Sequence, residues 1–89
     1  MKTINNAFKE MLSDVSAEIK AEVDLSFAIA ERLESLITEK GLSKKEFAEA
    51  LGKRPSEVTK WLSGHHNFTL HTLAMLSTFF GESLVEVKR

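Results

Sequence analysis

Apolar residues recur at spacings of three and four through most of the chain, which is the period of an α-helix with one buried face. The clearest run spans residues 25–40. Phe27, Ala30, Leu33, Leu36 and Ile37 form a stripe, Glu31, Arg32, Glu34 and Glu39 take the other side, and Gly41 follows as a stop. Upstream, Ile4, Phe8, Met11 and Leu12 share a face and predict a short helix over residues 4–12. Residues 13–16 carry break signals, and Ser16 is placed to cap a further stretch in which Ile19 and Val23 repeat four apart. The pattern leaves open whether that stretch joins the helix after it. Downstream, Thr69 is a candidate cap for a helix holding Leu70, Leu73, Ala74, Leu76, Phe79 and Phe80, closed by Gly81. Residues 84–88 alternate apolar and polar and read as a short strand that needs a partner, from this chain or from a second subunit.

Between these lies the stretch around which the chain is organised, residues 43–64, SKKEFAEALGKRPSEVTKWLSG. Ser43 with Glu46 three residues on is the signature of a capping box. Phe47, Ala48 and Leu51 then fall on one face, and Gly52 supplies a left-handed stop. Pro55 suits the first turn of a second helix, whose Val58, Trp61 and Leu62 face inward before Gly64 ends it. Two short helices joined by a tight glycine-containing turn form the unit that lays its second helix in a DNA major groove. All four glycines fall at predicted helix ends and the single proline at a helix start, so punctuation and period agree.

Composition adds bounds. A chain of 89 residues makes one domain with a modest core, and without cysteine it has neither disulfides nor a Cys-based zinc site. The N-terminus has no uninterrupted apolar segment and nothing approaches a membrane span, so a soluble cytoplasmic protein is expected. The net charge of −1 hides an asymmetry: residues 1–42 sum to −3 and residues 43–89 to +2. Positive charge is therefore placed where a DNA face needs it.

Taken together, LSKKEFAEALGKRPSEVTKWLSG and the following HHNFTLHTLAMLSTFFG resemble the Cro/cI-type (XRE) helix-turn-helix domain. DLSFAIAERL and GHHNFTL are similar to a subgroup found among antitoxins of the HigA type. The resemblance implies an all-α, five-helix lambda-repressor-like fold whose helix-turn-helix domain covers residues 25–83, to which the apolar pattern adds residues 1–24 as a helical extension and residues 84–89 as a C-terminal strand. It makes the helix from Pro55 the recognition helix. Pro55, Ser56, Glu57, Thr59 and Lys60 then correspond to base-reading and phosphate-contacting positions. They are also the positions of that helix left over by its core stripe. Lys60 can donate to a guanine edge, and Ser56 can serve base or phosphate. Lys44 and Lys45 open the preceding helix, Lys53 and Arg54 occupy the turn, and His65, His66 and Asn67 form a loop that contacts backbone in the family. Pro55 stands where the family often has Gln or Ser, and Glu57 repels phosphate unless it accepts from a cytosine amine.

Each sharp reading has a plain one beside it. Trp61, at Val58 plus three, belongs to the core rather than to a base stack. The lysines alone would make a solvated helix face. Adjacent histidines point apart, and His65, His66 and His71 lack the fourth ligand of a metal site. Phe8, Met11, Val15 and Ile19 either cover the bundle or form an apolar face awaiting a partner.

Three functions are compatible with this. The first is a sequence-specific DNA-binding repressor, acting as a homodimer on a palindromic operator of double-stranded DNA with half-sites about 34 Å apart. The second is an antitoxin that also neutralises a basic toxin through its acidic N-terminal extension. The third is a protein-interaction domain on the same scaffold that does not bind DNA. No cofactor or metal is implied. No nucleophile–base pair, paired-carboxylate pocket or phosphate loop can be read, so an enzyme is not expected.

Overall fold

The computed structural model describes the backbone of residues 2–88 and the side chains of residues 16–88. Four helices follow one another: α1 (Lys2–Glu39), α2 (Lys44–Leu51), α3 (Pro55–Leu62) and α4 (Leu70–Phe80).

α1 runs unbroken for 38 residues, where sequence reasoning expects a break at residues 13–16 and two or three separate pieces. This removes one helix from the expected five. The reason is local. Ser13, Asp14 and Ser16 cost only a few tenths of a kcal/mol each in a helix interior, and their side chains cap only where the backbone already turns. No glycine or proline lies within α1 to force that turn. The face formed by Ile4, Phe8, Met11 and Leu12 lies outside the residues whose side chains are described.

Among the described residues, only the second half of α1 enters the core. The first buried residue is Ser26, and Ile29, Ala30, Leu33, Leu36 and Ile37 follow, all below 7 % exposure except Ser26 at 9 %. The radius of gyration, 17.5 Å, exceeds the roughly 12 Å of a compact chain of this length, because the first half of α1 projects as an arm.

Phe47 of α2 is fully buried and is the hub of an aromatic cluster. Trp61 of α3 meets it edge-on at 6.4 Å, Phe79 at 5.5 Å, and Phe80 stacks on it at 5.5 Å. Leu33, Leu36, Ala48, Val58 and Leu76 complete the centre. Phe27, expected on the inward stripe, is instead half exposed, with its ring over Gly64 in the turn after α3. Ile29, off that stripe, is buried.

The expected C-terminal strand is absent among the described residues. Residues 84–88 are irregular. A lone alternating segment has no ladder to join, and here its first residue is used differently. Leu84 inserts into the core, and its N–H donates to Ser77 Oγ at 3.1 Å. An Arg32–Glu82 ion pair of 2.8 Å ties α1 to the chain just after α4. It is half exposed and contributes under about 1 kcal/mol.

The expected capping box on α2 forms. Glu46 N–H donates to Ser43 Oγ at 3.1 Å, and Ser43 N–H donates to Glu46 Oε1 at 3.0 Å. The Ser43 backbone donor, then its hydroxyl, hold the Glu46 carboxyl below its ordinary value of 4.5. A depressed carboxyl contributes stability that is present above its unfolded value and lost as pH falls through the folded one. Ser43→Ala is expected to cost about 1 kcal/mol at neutral pH. In urea titrations most of that cost should persist as pH falls below 4.5, because the Ser43 N–H that chiefly holds the Glu46 carboxylate is still present in the variant, and only the smaller share from the Ser43 hydroxyl should fade.

Candidate nucleic-acid interface

The helix-turn-helix geometry is set by a three-residue turn. Gly52 takes φ +67° and ψ 31°, and the N–H groups of Gly52 and Lys53 bond back to Glu49 and Ala48 carbonyls at 3.1 and 2.9 Å. The helix-closing carbonyls of α2 are thereby satisfied, and the chain reverses within Gly52, Lys53 and Arg54. Arg54 is the N-cap of α3 in extended conformation and makes no side-chain cap bond. Pro55 then occupies the first turn, where it forfeits no hydrogen bond.

α3 is pinned from beneath. Val58 is fully buried and Trp61 is 5 % exposed. This rotation of the helix turns Pro55, Ser56, Thr59 and Lys60 to solvent, with Glu57 at the margin and half-buried. Lys44, Lys45, Lys53 and Arg54 are exposed on α2 and the turn, as are His65 and Asn67 in the following loop. Of the residues singled out from the sequence on the recognition helix, Pro55, Ser56, Thr59 and Lys60 are thus exposed, and Glu57 is not fully so.

Two details go beyond the sequence. Thr59 Oγ1 donates to the Pro55 carbonyl at 3.1 Å, so its proton is used within the helix. Toward a ligand it offers an acceptor oxygen and a methyl group, the latter suited to a thymine methyl. Ser63, not singled out before, organises the loop: its Oγ donates to the Lys60 carbonyl at 2.7 Å and accepts from His65 N–H at 3.1 Å. A Ser directly after a helix is the sequence signal for such a turn. His66 packs edge-on against Phe68 at 4.8 Å and is half-buried, which anchors the loop to the domain and leaves His65 as its more open histidine. Among the described residues the histidines join no cluster of three or more metal-type ligands.

A tight two-helix unit with its second helix exposed along one polar face, carried on a small helical core, defines a helix-turn-helix domain. The helix-turn-helix family model matches residues 29–87, two thirds of the chain, and the protein belongs to that Cro/cI-type family of DNA-binding regulatory domains. No curated protein and no solved structure matches the chain, so the HigA-type subgroup and its toxin remain expectations from the resemblance alone. Among the described residues no helix is long and apolar enough to cross a membrane.

Proposed function

We propose that the protein is a sequence-specific repressor that binds a palindromic operator as a homodimer. In this reading residues 25–83 form the DNA-binding unit and residues 1–24 an arm. The observation that carries it is the exposed face of α3: Ser56, Thr59 and Lys60 stand clear of the domain while Val58 and Trp61 lock the helix in place. Lys60 supplies a donor for a guanine edge, and Thr59 a methyl for thymine. Lys44 at the start of α2, Lys45, Lys53 and Arg54 are the phosphate-contacting cations, and the loop of His65, His66 and Asn67 rides on the backbone. Glu57 accepts from a cytosine amine. A single module buries too little surface for high specificity, so two copies read half-sites a whole number of duplex turns, about 34 Å each, apart.

The test is a pair of variants in a salt titration of DNA affinity. Lys60→Ala should lose about 1–3 kcal/mol on the specific site and much less on random DNA. Lys44→Ala should weaken both alike and lower the slope of log affinity against log salt by about one for each phosphate it leaves without a cation. Salt-independent binding, or no binding to any duplex, would overturn the reading and favour an interaction domain without DNA.

A further inference from the structure

The arm half of α1 carries an apolar stripe whose described residues are left open by the rest of the chain. Ile19 and Val23 are 56 % and 43 % exposed, although they continue the face on which Ser26, Ala30, Leu33 and Ile37 are buried. Along the sequence the stripe is Ile4, Phe8, Leu12, Val15, Ile19 and Val23. At 3.6 residues per turn these six positions fall within an arc of about 100° on the unbroken helix.

Met11 lies about 20° outside this arc, at the margin of the stripe, and the six positions within it have palindromic spacings: four, four, three, four, four. Ile4 mirrors Val23, Phe8 mirrors Ile19 and Leu12 mirrors Val15, about a point between Ser13 and Asp14. An isologous interface across a two-fold axis needs this self-complementarity. A partner of unrelated sequence does not. Charge runs the same way. Residues 2–10 sum to +1 and residues 14–24 to −3, so an antiparallel pair sets the positive end of one arm beside the negative end of the other. A parallel pair would stack −3 on −3. It would also drive the partner's helix into the core, because from Ser26 onward the same face of α1 is filled by α2, α3 and α4. The six-residue seam ends at Val23, just short of that obstruction.

From this we infer that the arm is the dimer interface, with the arms of two copies of this chain packed antiparallel about residues 13 and 14. The inference deepens the homodimer reading above and rests on it only for the link to DNA. The seam spans about 30 Å of helix. Phe27, which packs on the turn after α3, then lies about 40 Å from its symmetry mate along the arms.

The chain contains no cysteine, so single cysteines can be placed freely. Full-length Ile4→Cys and Val23→Cys proteins are oxidised separately and mixed. Disulfide-linked dimers should form in the mixture and not in either protein alone, because a bridge needs Cα atoms within about 7 Å. Self-crosslinking of Val23→Cys alone, or no crosslink in the mixture, would overturn the antiparallel pairing. Sedimentation of Ile19→Glu, a residue outside the folded core, should show the dimer dissociation constant raised by roughly a hundredfold, with Trp61 fluorescence unchanged. A wild-type chain that stays monomeric at high micromolar concentration would overturn the inference, as would an arm that pairs only with a different protein. Binding of Ile19→Glu to one half-site separates the two readings. A crosslinked dimer that binds no DNA would sink the repressor while leaving the arm pairing intact.

Discussion

Phe47→Ala is expected to remove about 3–5 kcal/mol of stability, as for other fully buried Phe truncations. Phe47 is 0 % exposed and touches the rings of Trp61, Phe79 and Phe80 within 6.4 Å. Those rings arrive from α3 and α4, so the truncation opens a cavity where three elements converge and none can collapse alone. A chain of this length has about 5–13 kcal/mol in total. One substitution thus removes a large share of it. Urea unfolding followed through Trp61, the single tryptophan, should show a midpoint lowered severalfold more than for Ser43→Ala, with a similar slope. A loss below about 1 kcal/mol, far under the usual range for such a truncation, would mean that the aromatic cluster is not the centre of the core.

Gly64→Ala is the second large effect, and Gly52→Ala is its control. Both glycines have positive φ, +85° and +67°, where an L side chain costs roughly 1–2 kcal/mol. At Gly52 an added Cβ meets nothing within 4 Å, so only the backbone cost applies. At Gly64 the Cβ would sit 2.8 Å from Phe27 Cδ2, a distance that requires movement. Phe27 is half exposed, so its ring can swing away, but α1 then no longer packs on the turn after α3. Gly64→Ala should therefore cost about 1 kcal/mol more than Gly52→Ala, within the range of a partly buried aromatic side chain. In a Phe27→Ala background the excess should vanish and the backbone cost remain. Equal losses at the two glycines in the wild-type background would show that the ring moves at no cost.

These two sites also stabilise the recognition helix. Trp61 holds α3 from beneath through Phe47, and the Phe27–Gly64 contact holds the turn at its end. Substitutions at either place should weaken DNA binding without touching the exposed face of α3, and the unfolding curves identify them as structural.

Helix ends were legible because their chemistry is local. Ser43 with Glu46, Gly52, Pro55, Thr69 and Gly81 each satisfy or terminate a backbone ladder within four residues, and each sits where the sequence places it. The core of the two-helix unit was legible for a related reason. Val58 and Trp61 lie three apart on a helix of eight residues, which leaves Ser56, Thr59 and Lys60 no direction but outward. The same locality misled at residues 13–16, because a serine signals a cap only if the chain turns there. It misled at Phe27, whose place depends on a glycine 37 positions later.

The sequence by itself determined the helical class, the helix-turn-helix unit and its polar face, because capping and period are written in neighbouring residues. Only the tertiary structure decided that α1 is one rod, that Leu84 closes the core instead of starting a strand, and that the buried face of α1 begins at Ser26 among the described residues. Those outcomes depend on what covers each apolar side chain. Cover comes from residues distant in the chain, and the spacing of apolar positions along one segment carries no record of it.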